Sequence, residues 1–171
     1  MTYRLLFVVL ALAAAQTGCR RKAQPEPTPR QEMEGFTLRQ TQAGALAWEL
    51  EARIAVLRED VGDALLSEPI MRFYRKGAVA SRVSARSGRV RVDTHDVFLS
   101  SSVVLDAIEE HAVLDTDFLT YSSKRNLFTT DSLVQVSRPG GRLQGRGLEA
   151  KPDLSEIRIF NQQAVVEGDG K

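Results

Sequence analysis

The stretch Leu46-Ala47-Trp48-Glu49-Leu50-Glu51-Ala52-Arg53 sets the reading of this chain. Leu46, Trp48, Leu50 and Ala52 fall on every second position, with Ala47, Glu49, Glu51 and Arg53 between them. In an extended chain successive side chains leave opposite faces, so one face here is apolar and the other mostly charged. The segment from Leu46 to Leu57 is also rich in Glu, Ala and Leu, which favour helix. A helix needs an apolar period of 3.6, and the strict period of two around Trp48 makes this a strand.

The same period recurs along the chain. Val79 to Ala85, Val90 to Val92, Asp117 to Tyr121, Leu133 to Val136 and Ile157 to Ile159 all alternate. Turn-forming clusters separate them: Ser87-Gly88, Asp93 to Asp96, Ser122 to Asn126, and Arg138-Pro139-Gly140-Gly141. Strands of about 5 to 8 residues at intervals of about 10 predict an all-β, antiparallel domain without βαβ units. A weak internal echo links Gly88 to Asp93 with Gly147 to Asp153, each followed by a further apolar strand. It suggests stacked hairpins, as in a jelly roll or a solenoid-like slab.

Composition fits one ordinary domain with appendages: 171 residues, 43% hydrophobic and 26% charged. The 23 basic and 22 acidic residues leave a net charge of +1, without the basic excess of a nucleic-acid binder. A single cysteine allows no internal disulfide and no cysteine-rich zinc site.

That cysteine lies near the amino terminus. Arg4 precedes the apolar run Leu5 to Ala15, which is too short for the ~20 residues that cross a bilayer but suits a secretory signal. The run ends in Gln16-Thr17-Gly18-Cys19, which resembles the lipobox of bacterial lipoproteins. Gly18 and Cys19 fit that pattern and Gln16 departs from it. Residues 1–18 are thus expected to be a lipoprotein signal peptide and Cys19 the lipid anchor; the other reading is a short uncleaved anchor with a buried thiol. Arg20, Arg21 and Lys22 follow, a bias that in an uncleaved helix points the carboxyl end toward the cytoplasm and otherwise suits anionic headgroups. Residues 19–34, with Pro25, Pro27 and Pro29, read as a tether. In polyproline geometry the fifteen residues from 20 to 34 reach about 45 Å. Residues 35–168 read as the folded domain and 169–171 as a tail.

No catalytic constellation is visible. Gly-x-Ser-x-Gly, a Walker loop and His-Glu-x-x-His are absent. Gly145-Arg146-Gly147-Leu148-Glu149-Ala150 fits the letters of a dinucleotide loop, but Pro152 and Asp153 deny it the helix that would hold a phosphate. Asp93-Thr94-His95-Asp96 offers metal-ligating side chains, yet it is also ordinary turn chemistry with no second ligand cluster. An enzyme, a cofactor and a metal are not expected. Charge is unevenly spread: Arg72, Arg75, Lys76, Arg82, Arg86, Arg89 and Arg91 form a basic block without acidic residues between Pro69 and Val92. It either presents Arg forks to phosphate or is neutralised by carboxylates on neighbouring strands.

Read in order, these elements resemble the LptC family, the periplasmic component C of the lipopolysaccharide export system. The resemblance runs over residues 35 to 168. It rests on Gly44, Trp48-Glu-Leu50-Glu-Ala52 and Ala55, then Pro69, Phe73-Tyr74, Val83-Ser-Ala85, Gly88, Leu99 and Val103. It continues in Leu114-Asp-Thr116-Asp-Phe-Leu119-Thr-Tyr121, Thr130-Asp131, Val134, Gly145-Arg-Gly147-Leu148 and Ile157. The soluble bridge protein LptA has a similar pattern; the membrane-attached amino end favours component C. Family members commonly carry one transmembrane helix, where this chain has the lipobox-like segment.

The resemblance implies a twisted antiparallel β-jelly-roll, an open β-slab with an apolar lumen, on the periplasmic side of the inner membrane. It implies that lipopolysaccharide is received from the inner-membrane Lpt ABC transporter and passed to an LptA-like bridge protein. The outer membrane stays open as a destination for a lipid-anchored form. From alternation and resemblance together, the inward, lumen-lining set is Trp48, Leu50, Phe73, Val83, Leu99, Val103, Leu119, Tyr121, Val134, Val136, Ile157 and Ile159. Ile157, Ile159, Asn161, Ala164 and Val165 mark a last strand whose free edge would pair with the bridge protein by β-augmentation. The alternative is a structural envelope lipoprotein whose sandwich has a filled core and moves no lipid.

Overall fold

A computed structural model describes residues 31–165. Cys19, the signal peptide, most of the tether and the tail lie outside these residues. All regular structure is β: β1 Gln31–Gln42, β2 Ala45–Arg58, β3 Asp63–Ser67, β4 Ile70–Arg75, β5 Ala78–Ser84 and β6 Ser87–Arg91. Then follow β7 Val97–Ala107, β8 Ala112–Ser122, β9 Leu127–Arg138, β10 Gly141–Ala150, β11 Ile157–Ile159 and β12 Gln162–Val165. They form one 12-stranded sheet in which every pairing is antiparallel.

The connectivity is simpler than the strand count. β3 pairs with the end of β2 (Ile54 to Arg58) and β4 with its beginning (Trp48 to Glu51), so β3 and β4 are halves of one pass along β2. β5 and β6 are likewise halves of the next pass, since β5 pairs with β4 and β6 with β3. β12 and β11 share β10 in the same way. The chain is therefore an up-and-down meander, each pass beside its predecessor, folded in two across the strand direction. One layer, here the upper, holds β4, β5, β12 and the adjoining halves of the long strands. The lower layer holds β3, β6, β11 and the remaining halves.

The crease is a line of backbone irregularities. Register shifts fall between Ser100 and Val103, Thr116 and Thr120, and Arg146 and Leu148. Bulges of this kind bend a strand without breaking its ladder for long. Glu68 (φ 54°), Ser101 (68°), Ser102 (54°) and Asn161 (46°) adopt left-handed backbone there, a conformation that side chains disfavour. Gly147 (φ 82°) does so without a Cβ to clash. Backbone bonds stitch the crease: Glu68 N–H donates to Arg86 O at 2.9 Å, Arg86 N–H to Ser101 O at 3.0 Å, and Phe160 N–H to Gly147 O at 3.0 Å. Away from the crease the free margins of both layers carry hairpin turns. Ala43-Gly44 and Lys76-Gly77, both with paired positive φ, are two-residue turns whose twist suits a hairpin.

The predicted all-β antiparallel slab of jelly-roll type is what forms, with two local corrections. Ser87-Gly88 is not a turn but the start of β6, because the chain crosses the crease near Arg86 without reversing. The first strand begins at Gln31, inside the stretch read as tether. Residues 31–34 are exposed on both faces, so no apolar alternation announces them, yet they pair with Ile54 to Leu57. The two halves of the echo occupy equivalent places, each the lower end of a pass, its marginal turn and the return strand.

Candidate functional site: the interior between the layers and the lips that close it

The two layers face each other across one apolar interior. The upper wall contributes Trp48, Leu50, Phe73, Val83, Val103, Val134 and Val136; the lower contributes Leu99, Leu119, Tyr121 and Ile159, all of them buried. Ile157 is half-buried, at the end of the slab where only β10 flanks it. The interior also takes in Met71, Leu105 and Leu114 above and Val90, Val97, Phe128 and Leu148 below. Leu105 follows Val103 by the same period of two, and Leu114 lies in the quoted family stretch; Phe128, beside Leu127 and with polar Asn126 and Thr130 two positions away on either side, had no such signal. Side chains fill the interior along its length. At its β1 end Phe36 and Leu38 pack only partly against it and Met33 is 37% exposed. At its β10–β12 end Leu143 and Ile157 are similarly half-covered.

Opposite the crease the margins of the layers meet as two lips. Behind them four aromatic rings cross the gap. Tyr121 stands edge-on to Trp48 at 6.0 Å and to Phe73 at 5.0 Å, and Phe73 meets Phe128 at 5.5 Å. Burial pushes the Tyr121 phenol well above its usual range, and its hydroxyl donates to Asn126 Oδ1 at 3.0 Å. Two polar contacts tie lip to lip. His95 Nδ1 lies 2.9 Å from Gln40 Oε1, and its ring stands edge-on to Trp48. Arg75 binds Asp153 at 3.0 Å across the gap and Glu109 on its own lip. Burial pushes the Asp153 carboxyl up, but the Ser155 hydrogen bonds and the Arg75 charge outweigh it and hold the group below the usual carboxylate range. Between the lips lies a cavity of about 400 Å³, bounded by Gln40, Trp48, Phe73, Tyr121, Lys124, Lys151 and Asp153 among others. A larger groove, about 700 Å³, runs outside along the bulges between Ser102, Asp117, Leu133 and Arg146.

Three of the seven basic residues in the block, Arg72, Arg75 and Arg89, have carboxylate partners among the described residues. Arg72 binds Glu49 at 3.2 Å and Glu51 at 2.8 Å, Arg89 lies 3.6 Å from Asp63, and Arg82 sits opposite Asp106. Glu49 faces outward, as expected, yet is 7% exposed. The Tyr74 hydroxyl (2.7 Å) foremost, then Arg39 and Arg72, overcome burial and hold its carboxyl below the usual range. Asp63 is held down above all by the two 2.8 Å bonds from Arg58, against burial. Asp93, Thr94 and Asp96 serve their turn: Asp93 and Thr94 accept from backbone N–H groups within it, and Asp96 Oδ1 accepts from Ser123 N–H at 2.9 Å.

Both ends of the meander leave an edge. β1 pairs only with β2, and β11 and β12 only with β10, among the described residues. Ile157 and Ile159 lie on β11, Asn161 at the crease, and Ala164 and Val165 opposite Leu143 and Arg142. Among the described residues no helix is long and apolar enough to cross a membrane. The family model for LptC, described as lipopolysaccharide-assembly, LptC-related, matches residues 4–167. No curated protein matches the chain.

Proposed function

The chain belongs to the LptC family, transport components acting in lipopolysaccharide export at the periplasmic side of the inner membrane, and we propose that it carries the lipid between the two layers of its folded sheet. The observation that supports this most is the crease. Among the described residues the layers are joined by continuous backbone on one side only; on the other they meet through side chains and a cavity. Acyl chains can replace the side-chain contacts that fill the gap, and burying them is worth about 0.8 kcal/mol per CH₂ group. The sugars stay hydrated at the mouth between the lips. The incompletely covered apolar residues at the two ends favour passage along the crease axis, from the β1 end toward the β12 end. There the free edge of the last pass adds a strand of an LptA-like bridge protein and continues the interior. The lipid arrives from the inner-membrane transporter, and acylated Cys19 with its tether keeps the domain near that membrane.

Photocrosslinking tests the carriage. A photoreactive residue at Leu119 or Val134, both buried in the interior, should capture lipopolysaccharide, while one at the exposed outer position Asp117 should not. Equal capture from both faces would mean adsorption to the surface. Capture from neither would leave a scaffold with a closed core.

A further inference from the structure

Resting on that reading, the structure assigns the cavity between the lips as the seat of the lipid's polar head and of the first polar atoms of its acyl chains. Three observations converge on it. The first is an orphaned hydroxyl. Ser81 is fully buried, and its Oγ has no hydrogen-bond partner among the described residues. It stands opposite Phe73 and Ala107 in the upper wall, and its neighbour Ala80 lines the cavity. The other buried serine and threonine hydroxyls among the described residues are satisfied: Thr116 donates to Leu133 O at 2.8 Å, and Thr130 Oγ1 accepts from Ser132 N–H at 3.1 Å. A buried donor left unmade is a standing cost, which a hydroxyl, ester or amide oxygen arriving beside it removes. In lipopolysaccharide those oxygens sit at the roots of the acyl chains. With the root at Ser81 near the lip, the hydrocarbon points inward to the crease.

The second observation is the charge of the rim. Arg75, Lys124 and Lys151 line the cavity. Arg75 and Lys151 are paired with carboxylates, Lys151 with Glu156, whereas Lys124 has no ion pair among the described residues. A phosphate on the sugar head therefore meets Lys124 without first displacing an acid, and the paired cations lie beside it. The third is the aromatic floor. Trp48, Phe73 and Tyr121 separate the polar mouth from the aliphatic interior, where edge-to-face rings can be parted by an acyl chain without losing apolar contact.

Trp48 is the one tryptophan of the chain and lines the cavity, so its fluorescence reports occupancy directly. Purified full-length protein is titrated with lipid A and with dephosphorylated lipid A, both dispersed in the same detergent. Lipid A should shift the Trp48 emission, and the dephosphorylated form should bind about tenfold more weakly, the scale of one charge-assisted contact. Lys124→Glu should abolish that discrimination. Ser81→Ala should raise the urea midpoint, because the orphaned group is gone, yet weaken lipid A binding by roughly three- to tenfold. The conservative Ser81→Thr variant should keep more affinity than Ser81→Ala. If both Ser81→Ala and Lys124→Glu bind as the parent does while a Leu119 photoprobe still captures lipid, the lip site is overturned and interior carriage stands. If the parent shows no interior capture at all, the carriage reading itself falls.

Discussion

Gly145→Ala is expected to destabilise the domain by acting on one contact between the layers. Gly145 lies in β10 on the upper layer and faces Ile159 of β11 on the lower. A methyl at residue 145 would fall inside the contact distance of Ile159 Cγ2 and only 3.1 Å from the carbonyl oxygens of Phe160 and Asn161. Two of these neighbours are backbone, and the third is a β-branched side chain with little rotamer freedom. Against the clash stand about 0.8 kcal/mol for burying a methyl and about 0.4–1 kcal/mol from a stiffer unfolded chain. Overpacking of this kind costs about 1–3 kcal/mol, and the short contacts to backbone place the case at its upper end, so a net loss of about 1–2 kcal/mol is expected. For a domain of this size that is about 4–8 °C in Tm. Urea unfolding followed by Trp48 fluorescence measures it, and Ile159→Leu, whose unbranched Cβ lets the side chain swing aside, completes a double-mutant cycle. The Gly145→Ala cost should shrink by at least about 0.5 kcal/mol in the Ile159→Leu background. The Phe160 amide, which donates to Gly147 O, should exchange faster in the single variant. A Gly145→Ala protein as stable as the parent, or a cost indifferent to residue 159, would refute the claim that the layers touch through this pair.

Other outcomes follow from the same geometry. Glu49→Gln keeps the shape but weakens the bonds from Tyr74, Arg39 and Arg72, and should cost about 1–2 kcal/mol at neutral pH, discounted for the exposed Arg39. Because the folded state holds the Glu49 carboxyl low, its stabilisation is complete above the unfolded value of about 4.3 and is lost as pH falls through the folded value; the gap between parent and variant should therefore close in acid denaturation. Ala164→Pro removes one N–H donor from the edge pass and should abolish pull-down of a soluble LptA-like protein while leaving the domain folded; full retention would place that interface elsewhere. Cys19→Ala should lose labelling by a fatty-acid analogue, and unchanged labelling would remove the lipid anchor.

Period-two alternation is written locally, so the strands around Trp48, Val83, Leu119 and Val136 and the inward faces they present were legible from sequence alone. Each such residue needs only its own neighbours two positions away to declare a face. The same locality exposed the marginal turns at Asp93 to Asp96 and Ser122 to Asn126. Gln31 to Glu34 escaped because a strand exposed on both faces has no apolar rhythm. The crease was hidden for a different reason. It lies where Glu68, Ser101, Ser102 and Asn161 accept left-handed backbone, and none of these is a glycine that would have advertised it. Their strain is held by bonds to Arg86 and Ser101 and by neighbouring passes, which exist only once the meander has assembled. Pairings across the chain were equally silent: Arg72 finds Glu49 and Glu51 through strand register, which neutralises part of the basic block. Ser81 reads in sequence like any strand serine. Alternation alone determined that this chain would make an antiparallel slab with one apolar side. Folding that slab upon itself decided which residues face each other, where the lips close and which hydroxyl is left without a partner, because those are contacts between residues far apart in the chain.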